Sequence, residues 1–318
     1  MPWAAIPHSF RPCSHACSTL APTATPCDVQ GLRLTLAHDG ALWRRLAYAG
    51  ARYGPDFWVK YSPPLFGVAF ALALRPQRQK VRDTLRWVQG ETGQLREQRQ
   101  LFATFIQYAC CLTESLAAER PEAANAECRV EGEERLLAAL SQGRGALILT
   151  AHAGPWDVAA RLLRANHGRE VVVVMEGEAD EDARALHDRV RTRTGVRIVH
   201  VGKHPLDALP LVRELKAGTL VAVQLDRGAP SGRGISTQLF DRELLVPEGP
   251  FRLAALAGVP IVPLFVERTG YFRYNLVVSP LIELARSAGS KELHAAAQTA
   301  TDAMAAFIAR APTQWFNF

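Results

Sequence analysis

The N-terminal third of this 318-residue chain has no hydrophobic run long enough to cross a membrane as one helix. Its apolar stretch Leu65 to Leu74 covers ten residues, against the roughly 20 that a hydrocarbon core demands. Cysteine is scarce: Cys13, Cys17, Cys27, Cys110, Cys111 and Cys128 make no disulfide framework of a small secreted fold, so free thiols are expected. Cys13, His15 and Cys17 invite a zinc reading, but no second ligand pair stands at finger spacing, and no metal site is expected. The chain also has no Gly-x-Ser-x-Gly, which counts against a serine nucleophile elbow. Its start lacks the basic-then-apolar order of a signal peptide. Residues 1–30, rich in Pro, Thr, Ser, Ala and Cys, read as a disordered or overextended leader.

An excess of one sign of charge is missing from most of the chain. Residues 1–120 hold 14 Lys+Arg against 8 Asp+Glu, whereas the remainder holds 23 of each, so the net +6 belongs to the first 120 residues. Between Ala41 and Gly90, apolar and aromatic residues alternate with cations, and Arg75, Arg78, Lys80, Arg82 and Arg86 follow the apolar run. Such a region packs as a helical layer, lies at a membrane interface, or does both. No nucleic-acid-binding motif accompanies the cations, so a nucleic-acid partner is not expected. We therefore read residues 31–120 as a basic, helical, membrane-associating region and residues 121–318 as an α/β core.

Short apolar segments rich in β-branched residues punctuate that core: Ala146 to Thr150, Val171 to Met175, Val196 to Val201, Leu220 to Leu225, Val259 to Val266 and Tyr274 to Val278. Helical patterns run over Glu131 to Leu140, Leu162 to His167, Asp180 to Thr192, Leu206 to Lys216 and Lys291 to Ala309. The alternation predicts a mixed, mostly parallel central sheet covered by helices, with function gathered beyond the strand C-termini.

Two such ends carry chemistry. After Ala146 to Thr150 comes His152-Ala-Gly-Pro-Trp156-Asp157, a tight turn leading into a helix. The turn allows the Asp157 carboxylate to reach one nitrogen of His152, which fixes the tautomer and leaves the other nitrogen to take a proton from a hydroxyl. Amides at the helix start near Trp156 are candidates to stabilise an oxyanion. After Leu220 to Leu225 comes Asp226-Arg227-Gly228, then a Gly- and Arg-rich loop ending at Gly232-Arg233-Gly234, which suits a phosphate or carboxylate. Farther on, Glu248 and Gly249 in Pro247-Glu248-Gly249-Pro250 stand where a helix begins.

His-Ala-Gly-Pro-Trp-Asp resembles the H-x4-D/E box of glycerolipid-type acyltransferases, and its surroundings resemble the bacterial lipid A biosynthesis (lauroyl/myristoyl) acyltransferase family. Pro155 replaces the Asn usual in that box. Asp226-Arg227 with its Gly-rich loop, the segment Phe240 to Gly258 and the ending Gln314-Trp315-Phe-Asn-Phe318 are similar to the family's later blocks. The resemblance implies an O-acyltransferase that moves a fatty acyl group from a thioester, on acyl carrier protein or coenzyme A, to a lipid or glycolipid hydroxyl. His152 would act as base and Asp157 as its orienting partner. Asp226, Arg227, Arg233, Glu248, Gly249 and Trp156 would bind substrate. No tightly held cofactor is implied, and the workplace would be the cytoplasmic face of the bacterial inner membrane. Glu176 stands where late members of the family carry an Arg, which argues against a bis-phosphorylated lipid A acceptor. A thioesterase or lipid hydrolase using the same dyad, or a non-catalytic membrane partner, stays open on residues alone.

Overall fold

Five parallel strands form the heart of a computed structural model that describes residues 41–141, 143–176, 196–201, 208–228 and 234–317. They are β2 (Leu147–Thr150), β3 (Val171–Glu176), β4 (Arg197–Val201), β5 (Leu220–Gln224) and β8 (Ile261–Gly270). With β1 (Glu127–Glu131) and β9 (Arg273–Val278) they complete a seven-stranded sheet in the order β1-β9-β8-β2-β5-β3-β4. Only the β8/β9 pairing is antiparallel. The mostly parallel α/β architecture expected from the apolar runs is present. β2 lies between β5 and β8, and every one of its residues is buried, as expected of a strand covered on both faces.

Alternation along β2 sends its side chains to two cores. Ile148 joins Val158, Leu162 and Leu163 of α7 (Trp156–His167) and Leu136 and Leu140 of α6 (Glu133–Leu140). Leu147 and Leu149 join Leu211 and Leu215 of α8 (Leu209–Lys216), Phe251 and Ala254 of α9 (Gly249–Ala257), and the first half of α10 (Ser290–Arg310). The last turns of α10 carry Met304, Phe307 and Ile308 into a third cluster beside Ala151, Ala153 and Trp315. The C-terminal helix thus ends next to the loop that follows β2. A second sheet, the hairpin β6 (Gly234–Leu239) and β7 (Arg242–Pro247), is joined to α10 through Thr301 and Thr237, whose hydroxyls lie 3.1 Å apart. The predicted helix Asp180 to Thr192 and Arg233 lie outside the described residues, as do the leader and Cys13, His15 and Cys17.

Ahead of the core stand α1 (Ala41–Tyr53), α2 (Asp56–Ala73), α3 (Arg75–Gln89), α4 (Gln94–Leu116) and the short α5 (Pro121–Ala124). α2 runs through Pro63 and Pro64, so the apolar stretch is the second half of a longer helix. At Leu74 the chain turns by 100°, and the Arg78 guanidinium caps the turn by donating to the Ala71 and Leu72 carbonyls. Among the described residues no single helix is long and apolar enough to cross a membrane.

α2 meets α4 backbone to backbone at Gly67, where an added Cβ would lie 2.7 Å from Ile106 Cα and 2.9 Å from both Ile106 N and the Phe105 carbonyl oxygen. Gly to Ala in an open helix gains roughly 1 kcal/mol. Here the overpacking cost of about 1–3 kcal/mol reverses the sign. Gly67→Ala should lower the urea midpoint at unchanged slope; a stabilised variant would show that the two helices can separate freely.

Candidate active site

Register decides what meets what. Thr150 at the end of β2 pairs with Gln224 at the end of β5, and the Leu225 amide continues the ladder by donating to the Thr150 carbonyl at 2.8 Å. Two residues beyond each strand end stand His152 and Asp226. His152 Nδ1 lies 2.8 Å from Asp226 Oδ1, and the His152 backbone amide donates to both carboxylate oxygens at 3.0 Å. The Trp315 indole Nε1–H donates to Oδ2 at 2.9 Å. Asp226 therefore receives hydrogen bonds on both oxygens, and its side chain has no exposed surface.

Burial would push the Asp226 carboxyl up. The His152 charge and the hydrogen bonds from the His152 ring, Trp315 and the His152 amide outweigh that effect and hold it below its ordinary value. A carboxylate only accepts, so Nδ1 carries the proton, and in the neutral ring Nε2 keeps the lone pair. His152 itself is buried, at 7% exposure. Trp156 sets its ring edge-on to the imidazole, with centroids 6.3 Å apart.

The turn that follows depends on glycine. Gly154 has φ +56°, and a Cβ there would lie 1.8 Å from the Val266 carbonyl oxygen. Any side chain would push the His152 loop off β8. The Gly154 amide donates to the Gln314 carbonyl at 2.7 Å and the Phe316 amide to the His152 carbonyl at 2.8 Å, so the chain's C-terminal segment pairs with the loop. Gln314, also buried, doubles the clamp: its carboxamide accepts from the Arg268 amide at 2.8 Å and donates to the Arg268 carbonyl at 3.0 Å.

The residues singled out in the sequence fall unevenly around this centre. The bond to one imidazole nitrogen expected of Asp157 is made by Asp226, to Nδ1. The Asp157 carboxylate, on the first turn of α7, accepts from Ser115 Oγ at 3.1 Å. Asp226, expected to touch substrate, is sealed inside and holds the histidine, because a side chain without exposed surface has none to offer a ligand. Arg227, the next residue, is exposed beside the site. Glu248 Oε1 takes the Arg252 guanidinium at 2.6 and 2.5 Å, one helical turn on. Gly249 is exposed with nothing within 4 Å of a built Cβ, so the space over it is open.

Reading by residue type gave Trp315 no role, and it passed over the group behind the site. Glu114, next to Ser115 on α4, accepts from Arg268 Nε at 2.8 Å and the Tyr274 hydroxyl at 2.7 Å. Burial pushes the Glu114 carboxyl up, with Arg268 and Tyr274 pulling the other way. Burial also raises the Cys110 and Cys111 thiols. A thiol held protonated is a poor nucleophile, which weighs against a covalent acyl-cysteine.

Fold and site together define an α/β protein in which a buried carboxylate holds one nitrogen of a histidine ring beyond the ends of two adjacent parallel strands. Residues 53–318 match the bacterial lipid A biosynthesis acyltransferase family, and the chain belongs to that family. Among curated proteins it is similar to the phosphatidylinositol mannoside acyltransferase of Mycolicibacterium smegmatis, 27% identical over 186 residues, covering 57% of this chain and 58% of that protein. It is also similar to the protein of the same name from Mycobacterium tuberculosis, 25% identical over 190 residues, covering 58% of this chain and 57% of that one. The chain thus spans under three fifths of the length of these relatives.

Proposed function

We propose that this protein transfers a fatty acyl group from a thioester to a hydroxyl of a lipid or glycolipid, with His152 as general base. The observation that carries the reading is the 2.8 Å bond from His152 Nδ1 to the buried Asp226. In the proposed step, Nε2 takes the acceptor's hydroxyl proton as the oxygen attacks the thioester carbonyl. The tetrahedral oxyanion collapses, the carbon–sulfur bond breaks, and the departing thiolate recovers the proton from the imidazolium. Asp226 orients the ring and stabilises its charge, and Asp157 adds a second negative charge at the start of α7. The first-turn amides of α7, near Trp156, suit the oxyanion, since a helix N-terminus favours negative charge.

The relatives' name points to a sugar-bearing phospholipid as the kind of acceptor. Arg227, exposed beside Asp226, suits its phosphate or that of the donor's phosphopantetheine, whether carried on acyl carrier protein or in coenzyme A. The family resemblance adds Arg233 and Glu248 to the residues proposed to bind the headgroup. The proposed workplace is the cytoplasmic face of the inner membrane, with the protein bound peripherally. Along α2, Phe57, Tyr61 and Leu65 are 62–71% exposed and Trp58, Phe66 and Phe70 are 44% exposed. An apolar face of that kind, followed by the cations of α3, fits the lipid–water interface.

The test is thiol release from acyl carrier protein and coenzyme A thioesters, with and without a total lipid extract, followed by mass spectrometry of the lipids. Lipid-dependent release that yields an acylated lipid is expected, along with pelleting of the protein with anionic vesicles. Release without lipid would replace transfer by hydrolysis. Absence of release from both donors would overturn the enzymatic reading.

A further inference from the structure

We propose that the C-terminal segment Gln314–Phe316 belongs to the catalytic apparatus and that Trp315 is a positioning residue, whose indole N–H sets the orientation and proton affinity of His152 through Asp226. The inference rests on the reading of His152 as the base.

Trp315 is 1% exposed and could be taken for simple core. Its geometry says more. Asp226 Oδ1 faces the His152 ring, and apart from the His152 amide, which both oxygens share, Oδ2 is met by Trp315 Nε1 at 2.9 Å. A carboxylate held on both oxygens cannot rotate about its last bond without breaking one of them. The plane that Trp315 selects is therefore the plane in which the imidazole must lie. The indole is in turn held from several sides. Its backbone neighbours pair with His152 and Gly154, and Gln314 is clamped to Arg268. Trp87 of α3 packs on the indole ring with centroids 5.3 Å apart, and the Thr84 hydroxyl donates to the Asn317 carbonyl at 3.1 Å. The basic helix α3 is thereby linked, through two tryptophans and one carboxylate, to the catalytic nitrogen.

The electrostatic consequence has a sign. A donor on Oδ2 draws negative charge away from Oδ1 and weakens the pull on the His152 proton. Without it, Asp226 holds the imidazolium more tightly and the ring titrates at higher pH. Other charged groups on the surrounding elements are Asp157 on α7, Arg227 beside Asp226, and Arg268 with Glu114 behind Gln314; the substitution leaves all of them in place. Loss of one hydrogen bond to a charged group predicts a fall of about 10- to 100-fold in kcat, with KM for the thioester little changed because no substrate contact is removed.

The experiment compares wild type, Trp315→Phe and the isostere carrying benzothienylalanine at position 315, which keeps the shape and replaces N–H by sulfur. The His152 ring is titrated by NMR, and kcat and KM are measured beside it. Expected is a His152 proton affinity about three- to tenfold higher in both variants, with the loss confined to kcat. An unchanged ring titration in either folded variant would sink the proposal. If Trp315→Phe fails to fold, the isostere decides, and its failure to fold as well would make the N–H a folding determinant and overturn the positioning role. Because the titration needs no substrate, absence of turnover in the wild type would remove the acyltransferase reading while the indole's effect on His152 is still read out.

Discussion

His152→Ala is expected to leave a folded chain whose acyl transfer is slower by about 10²- to 10⁴-fold, the range lost with a positioned general base. The substitution also withdraws one donor from a fully buried carboxylate. Removing one partner of a buried pair costs roughly 3–5 kcal/mol when the remaining charge is uncompensated. Asp226 keeps Trp315 and the backbone amide of residue 152, so the cost should fall at or below the lower end of that range. A domain of ordinary stability, about 5–15 kcal/mol, survives it. Circular dichroism and urea unfolding verify the fold, and thiol release in the presence of lipid gives the rate. Full turnover in the folded variant would remove His152 from the mechanism.

Asp226→Asn should be nearly as damaging, about 10³- to 10⁴-fold, for a different reason. The new amide has the carboxylate's shape but one oxygen and one NH2 group. The surroundings offer three donors: the His152 amide, the Trp315 indole and the protonated Nδ1. If the NH2 faces Nδ1, the ring is forced into the tautomer with its proton on Nε2, and the base is lost, the effect that costs about 10⁴-fold in serine proteases. If it faces Trp315, two donors collide. The variant should also alter acid stability. Folding holds the Asp226 carboxyl below its ordinary value of 3.8, so its contribution is present above that value and is lost as pH falls through the folded one. Acid unfolding of Asp226→Asn should lack that component and show a shallower fall in stability below about pH 4. An equally steep fall would mean that other carboxylates dominate.

Much of the sheet was legible from composition. The central strands are runs of Val, Ile, Leu and Ala because both faces are covered, and burial of each large side chain contributes about 1.5–3 kcal/mol. β1 was not legible, since Glu127-Cys-Arg-Val-Glu131 is an edge strand with much of its surface in water. The β6/β7 hairpin was hidden for another reason. Its turn is made by Phe240, held at φ +55°, followed by Asp241. The Asn-Gly or Asp-Gly signature of such turns is absent.

The site divides along the same line. By itself the amino-acid order determined that a histidine follows a buried strand, that a glycine turn and a helix come next, and that Asp226 follows another strand. Those are local facts, set by side-chain chemistry and the spacing of apolar residues. Which carboxylate holds the histidine was settled only in three dimensions. Asp157 is five positions away along the chain and Asp226 is seventy-four, yet parallel pairing of Thr150 with Gln224 brings the distant one to the imidazole. The tryptophan behind it arrives from the far end of the chain, because α10 must cover the sheet before its last turns reach the loop. Strand register and helix packing minimise free energy over the whole chain, and neither leaves a mark in the residues adjoining His152.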